Sequence, residues 1–283
     1  MCGEFKISSE NDDVGFSVLL SVYKNESPSF LIESINSVYF SQTLKPSQII
    51  LVKDGLLTPK LENVLSEIKT NIGRLLTVVS LEENKGLGAA LNIGLEKSKF
   101  ELVARMDTDD IAESNRFELQ IPYMLENTDI SVCGGLVDEW NTDMTKRLGA
   151  RRVPGSHDDI CRFAKSRSPM NHPSVVFRKS AVLDVGGYPP LRKAQDYALW
   201  SLLLSKGYKL ANLDKVLVKM RAGSEMASRR GFSYLKYEIQ LLRYQKSINF
   251  LSARQLLINS TIKSILRCSP HFVKVAAYRL LHS

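Results

Sequence analysis

Four apolar runs, each followed by a stretch of helical period, constrain this chain more than any other feature. They are Phe16–Tyr23 (FSVLLSVY), Gln48–Val52 (QIILV), Leu75–Val79 and Phe100–Met106. Ser27-Pro28 opens a helix carrying Leu31, Ile32, Ile35 and Tyr39, and Thr58-Pro59 opens one carrying Leu61, Val64, Leu65 and Ile68; Leu87–Lys97 reads as a third. Near-continuous apolar strands separated by amphipathic helices imply a mostly parallel sheet covered on both faces. Ligands on such sheets bind beyond the strands' C-terminal ends. Tyr23, Asp54 and Asp107 each fall at one of those ends.

After residue 130 the order loosens. Ile130–Gly134 and Ser174–Arg178 read as strands, Ser156-x-x-Asp159 as a capping box, and Tyr197–Lys206 as a helix closed by Gly207. From about residue 225 the chain reads as helical, with Ser269-Pro270 restarting a last helix. The expected organisation is a disordered lead over 1–13, an α/β domain over 14–224 with halves 14–110 and 111–224, and a helical C-terminal extension over 225–283.

Charge is unevenly placed. The net charge is +8, yet residues 229–283 hold ten Lys or Arg against one acid, so the body is close to neutral. Such a skew fits an anionic partner surface, lipid or nucleic acid. The four cysteines, Cys2, Cys133, Cys161 and Cys268, form no C-x-x-C pair, which argues against a zinc site or disulfide framework. The opening MCGEFKISSENDDVG has no basic or apolar region, so no signal peptide is expected, and no apolar run is long enough to span a membrane. A cytoplasmic location is expected.

The fourth apolar run ends in ARMDTDDIAESNR (104–116), which sets Asp107, Asp109 and Asp110 within four positions. Like charges that close repel by about 1 kcal/mol per pair in water and by more in a drier site. Helix capping explains one Asp but not three. A calcium loop fails, because Ile111 and Ala112 stand where an acid and a Gly are needed. A solvated acidic turn and a divalent-metal site both remain open. In the second, Mg²⁺ or Mn²⁺ takes one or two carboxylates while ligand phosphates complete its shell. ENKGLGAALNIG is not a dinucleotide-binding turn, since Leu91 occupies the place of the third Gly.

Six ordered pieces, SVLLSVYKNE (17–26), LVKDG (51–55), ENKGLGAALNIGL (83–95), ARMDTDD (104–110), NHPSVVFRKSAVLDVGGY (171–188) and AQDYALW (194–200), together resemble the inverting family 2 glycosyltransferases over about residues 14–225. Within that family the chain looks most similar to bacterial enzymes of O-antigen and exopolysaccharide assembly, including the amylovoran type. The resemblance implies the GT-A nucleotide-diphospho-sugar transferase fold.

It also implies roles. Ser21 and Tyr23 would bind the nucleotide, Asp54 its base, and Lys85 the diphosphate. Asp107 would lie near the ribose and metal, Asp109 would ligate Mn²⁺ or Mg²⁺, and Asp110 would support them. Family members carry Asp-Asp-Gly-Ser where this chain has Lys53-Asp54-Gly55-Leu56. Asp196, at the family interval from Trp200, would be the catalytic base, with Gln195 in place of the usual Glu. On sequence alone Asp196 reads better as a helix N-cap; a helix N-terminus would also keep it ionised. Asn171, His172 and Arg221 would line the acceptor side.

The implied substrates are a UDP-hexose, glucose or galactose, and a GlcNAc or GalNAc joined through diphosphate to undecaprenol, giving a β-linkage. Residues 229–283 would touch the cytoplasmic face of the inner membrane, with Lys263 and Arg267 on one helical face opposite much of the apolar surface. A helical hairpin docked on the main domain explains the same residues. Rival readings are an inactive nucleotide-sugar-binding scaffold, a nucleotidyltransferase and a nucleic-acid binder. The nucleotidyltransferase lacks its Gly-rich loop, and the tail lacks the clustered aromatics of a nucleic-acid platform.

Overall fold

The computed structural model describes residues 15–222 and 234–268. The expected lead over 1–13 and the helix after Ser269-Pro270 lie outside those residues. Among the described residues the first half runs β1 (Phe16–Val22), α1 (Pro28–Val38), β2 (Gln48–Lys53), α2 (Pro59–Ile72), β3 (Leu76–Ser80), α3 (Leu87–Glu96) and β4 (Leu102–Arg105). The second half runs β5 (Ile111–Ala112), α4 (Arg116–Glu126), β6 (Ile130–Trp140), β7 (Arg147–Arg151), α5 (His157–Phe163), β8 (Val176–Arg178), α6 (Lys179–Asp184), α7 (Gln195–Ser205) and β9 (Lys209–Arg221). Two more helices follow, α8 (Leu235–Ser247) and α9 (Ala253–Cys268).

All nine strands join one sheet in the order β3-β2-β1-β4-β8-β6-β9-β5, with β7 added beside β6. The first four pair in parallel, with Leu19 flanked by Ile50 and Arg105. That is the pattern their apolar runs imply. Beyond β4 the pairing changes, because β8 runs antiparallel to both β4 and β6.

Two expectations from the second half need correction. The strand at Ile130 continues to Trp140 instead of stopping at Gly134, since β9 pairs along its whole length. The strand placed at Ser174–Arg178 begins only at Val176, because His172–Ser174 forms a 3₁₀ turn.

Alternate residues of each strand feed two cores. Val18, Leu20 and Val22 face α1, α2 and α4 through Leu31, Ile35, Leu61 and Phe117. Leu19, Ile50, Val52 and Val103 face α3 and α7 through Leu91, Leu95, Leu199 and Trp200. Each such buried side chain contributes about 1.5–3 kcal/mol. Gly94 lets α3 lie close on the sheet: a Cβ there would fall 2.7 Å from Val52 Cγ2. That approach fixes where the start of α3 points.

Helices α8 and α9 form a hairpin docked on the main body. Gln245 Nε2 donates to Ser201 Oγ of α7 at 2.8 Å, and Leu242, Phe250 and Leu251 pack with Ala164. Lys263 and Arg267 both turn inward to Glu238 of α8, at 3.4 and 2.8 Å. They are therefore not the solvent-facing basic edge that a helical wheel places opposite the apolar surface.

Candidate active site

The ends of β1, β2 and β4 lie side by side, so the loops that follow them converge. After β2 the chain turns at Gly55, whose φ of +87° suits glycine, and a Cβ there would meet Asn84 N at 2.8 Å. This turn brings Asp54 against the loop that begins α3. The buried Asp54 carboxylate accepts from Lys85 N at 2.7 Å, Gly86 N at 3.0 Å and Asn84 Nδ2 at 3.0 Å. The position expected to meet a base thus anchors the 84–86 loop. Lys85 itself is exposed beside it, as is Tyr23 at the end of β1; Ser21 is half-buried.

Across β1 stands the acidic loop. Asp107, Asp109 and Asp110 offer carboxylate oxygens that all lie within 4.8 Å of one another. Each has a different surrounding. Asp107 pairs with Arg105, and Asp110, fully buried, accepts from Arg221 N at 2.9 Å. For Asp109 the like charges outweigh the Arg105 cation: burial first, then Asp107 and Glu26, push its carboxyl up to about 7. Burial and the same crowding push Asp110 up as well.

Arg221 holds this loop in place from the end of β9. Its guanidinium donates to Asp109 O, to Glu33 of α1 and to Thr142 O, and lies 4.0 Å from the centre of the Phe30 ring. Thr108 Oγ1 ties the loop to Glu26 Oε2 at 2.8 Å, and Ser34 Oγ donates to Asp107 O at 2.7 Å.

The second acid reaches the site from α7. Asp196 is in the first turn rather than at the cap, because the helix starts at Gln195 after Ala194 in the left-handed region. The expected N-cap is therefore not found. Nor does the helix end keep the carboxyl low. Burial raises it most, Asp107 adds to the rise, and the Tyr197 N–H and the Arg105 charge oppose it.

Arg105 is the link between the two acids. It is wholly buried on the α7 side of β4, and its charge acts on Asp107, Asp110, Asp196, His172 and Tyr188. Nothing in a composition-level reading marks it, but an Arg ending an apolar strand two positions before an Asp lies on that Asp's side of the pleat. Tyr188 and Glu26 lie inside the motif pieces and are equally easy to pass over.

The remaining expected residues are interior. His172 Nε2 lies 2.9 Å from Tyr188 Oη, and its ring meets Trp200 edge-on. Burial and Arg105 drive its pKa well down, so it is neutral. Asn171 Nδ2 donates to Gly135 O at 2.9 Å, Gln195 is buried, and Trp200 is fully buried. His172 and Trp200 thus support Tyr188, while Asn171 fastens its own turn to β6 and β7.

Crowded hard oxygen donors with raised pKa values fit a divalent cation, which relieves the repulsion that burial intensifies. Asp109 is the best-placed ligand, since its carboxylate takes no hydrogen bond from another residue among those described, and Asp107 can join it.

Comparison with known proteins agrees with this geometry. A family model described as glycosyl transferase family 2 matches residues 17–184. The chain is 39% identical over 268 residues to the amylovoran biosynthesis glycosyltransferase AmsE of Erwinia amylovora, covering 94% of this chain and 97% of that protein. It is 36% identical over 261 residues to an Escherichia coli UDP-Gal:alpha-D-GlcNAc-diphosphoundecaprenol beta-1,3-galactosyltransferase, covering 92% and 94%. Among solved structures, S. aureus TarS 1-349 with UDP-GlcNAc superposes with a TM-score of 0.64 at 19% identity, over 89% of this chain and 72% of that one. GalNAc-T7 with UDP, GalNAc and Mn²⁺ gives 0.63 at 18%, over 83% and 48%. These structural likenesses establish the fold.

Proposed function

Given that this chain belongs to glycosyl transferase family 2 and is a glycosyltransferase of the GT-A fold, we propose that it moves a hexose from a UDP-sugar, UDP-Glc or UDP-Gal, onto a sugar carried on a lipid diphosphate. The acceptor we assign is GlcNAc or GalNAc linked through diphosphate to undecaprenol, and the product a β-linked step of O-antigen or exopolysaccharide assembly. The observation that carries the reading is the cluster of Asp107, Asp109 and Asp110, whose carboxylate oxygens lie within 4.8 Å of one another beyond the end of β4, with Asp196 in the first turn of α7 as a second acid. Two relatives that match almost end to end support the substrate class, one named for exopolysaccharide synthesis and one for a diphosphoundecaprenol acceptor.

In this reading Tyr23 stacks on the uracil ring, Ser21 contacts the nucleotide, and the loop held by Asp54 carries the Lys85 side chain to the diphosphate. Asp109, with Asp107, holds Mn²⁺ or Mg²⁺, which when bound takes up charge on the departing UDP. Asp196 accepts the proton of the acceptor hydroxyl as its oxygen attacks the anomeric carbon. One displacement inverts that centre, so an α-linked donor gives a β-linkage. A carboxylate raised by burial is a stronger base than an ordinary one, and a positioned base contributes about 10²–10⁴-fold. Residues 229–283 set the enzyme against an anionic membrane surface, on its cytoplasmic face. Among the described residues no helix is long and apolar enough to cross a membrane.

The test is a screen of radiolabelled UDP-hexoses against synthetic GlcNAc- and GalNAc-diphosphate lipids, with product linkage assigned by NMR. An α-linked product, or transfer to none of these acceptors, refutes the assignment. Metal-dependent hydrolysis of a UDP-sugar without acceptor separates an enzyme from an inactive scaffold.

A further inference from the structure

The C-terminal hairpin sorts its residues against the usual rule. On α9 the outward side chains are apolar: Leu257 is 69%, Ile258 45%, Ile262 50% and Ile265 61% exposed. Their spacing places them on one face. The cations of the same helix go the other way, since Lys263 and Arg267 are drawn onto Glu238. Glu238 is the sole acid of residues 229–283, and that pairing occupies it. The exposed charges on the two helices are then all positive, Lys236 and Arg243 on α8 and Arg254 on α9.

An apolar stripe facing water carries a steady free-energy cost, so something covers it when the protein works. We propose that the Leu257–Ile258–Ile262–Ile265 face of α9 lies in the headgroup layer of an anionic bilayer, parallel to its surface, with Arg254 at its rim. Charge selects lipid over a second copy of the chain. Arg254 lies one turn before Leu257 and Ile258 on the same face, so two copies meeting through it would bring a cation of each into the contact with no exposed acid on either helix to answer it, whereas anionic headgroups do answer it. The proposal deepens the lipid-linked acceptor reading, because it names the surface that would keep the enzyme where such an acceptor is anchored. It also moves the membrane contact from Lys263 and Arg267 to the apolar side chains on the other face.

The experiment is co-sedimentation of the full-length protein, without substrate, with vesicles of phosphatidylcholine alone and of phosphatidylcholine mixed with phosphatidylglycerol. Wild type should bind the mixed vesicles. Ile262→Asp/Ile265→Asp should lose partitioning by about tenfold or more, the scale expected for burying two such side chains. Arg254→Gln should weaken binding only to the mixed vesicles. Leu257→Asp is a second, single test, and an unchanged thermal midpoint shows that each variant folds. The proposal is overturned if wild type ignores the mixed vesicles, if the Asp variants partition like wild type, or if the protein is a dimer in solution that these variants split. With no substrate present, a negative result leaves the transfer chemistry standing, and a failed acceptor screen leaves the membrane face standing.

Discussion

Arg105 Nη2 donates to Asp107 Oδ1 from two positions earlier in the chain, at the point where β4 ends. A permanent cation is thereby sealed beneath the acidic loop, with its Nε and Nη1 lacking hydrogen-bond partners among the described residues. Such a group is costly to bury, and its value lies in acting on both acids at once.

Arg105→Met should therefore do two things. It leaves Asp107 without its partner, which should destabilise the fold by about 3 kcal/mol, toward the lower end for a broken buried pair because Asp107 is partly exposed. It also removes a charge that holds the Asp196 carboxyl down. The acid limb of the kcat/KM profile should then move to higher pH. Urea titration reads the first effect and a pH–rate series the second; an unmoved acid limb would show that Arg105 is only structural.

Asp196→Asn keeps the shape of the α7 start while removing the proton acceptor. Transfer should fall by at least about 10²-fold, with UDP-sugar affinity by calorimetry changed little. Normal kcat in this variant would mean that the base lies elsewhere.

Asp109 carries a pH signature in metal-free protein. Its carboxyl is raised to about 7 in the fold, against about 3.9 in an unfolded chain. Between these values the folded state holds a proton that the unfolded state has released, so stability should fall as pH rises from about 4 to 7 and then level off. Asp109→Asn should flatten that slope, Asp110 and Asp196 keeping a share of it, and should stabilise the metal-free protein above pH 7 by up to about 4 kcal/mol, while Mn²⁺ binding is lost. Thermal midpoints across pH, with and without Mn²⁺, check both. For wild type, apparent Mn²⁺ affinity should climb about tenfold per pH unit below that pKa, since the ion displaces one proton.

The first half of the fold is legible in the sequence because Leu19, Leu20, Ile50 and Leu51 lie in runs apolar on both faces, which only a doubly covered sheet tolerates. The second half is less so. Gly134 and Gly135 interrupt the apolar pattern of β6, and its length is set by β9, a partner some 80 residues on. Positions along the acidic loop and at Asp196 could be picked out one by one. What links them could not, because Tyr188 and Arg221, and Arg105 in its reach to Asp196, act through contacts distant in sequence. The outward apolar face of α9 is hidden for a similar reason: a helical wheel gives the grouping of side chains, while Glu238 on α8 decides which group turns inward.

Arg221 offers the sharpest test of whether the acidic loop is held ready before anything binds. Its guanidinium reaches Asp109 O, Glu33 and Thr142 O, whereas its contact to Asp110 uses the main-chain N–H and so survives any substitution. Arg221→Met retains the apolar stem against Phe30 but deletes the side-chain hydrogen bonds. Charge-assisted bonds of this kind contribute about 1.5–3 kcal/mol each, and Glu33 is half exposed, so its share is small. The net cost should be about 2 kcal/mol in stability. If the loop must then be ordered by the incoming ion, Mn²⁺ affinity should fall by about tenfold, because binding now does work that Arg221 had done beforehand. Glu33→Gln should change Mn²⁺ affinity little. Loss of stability in Arg221→Met with unaltered Mn²⁺ affinity would mean that the loop keeps its shape without the latch, and that Thr108, Ser34, Arg105 and the main-chain N–H at position 221 suffice to preorganise the aspartates.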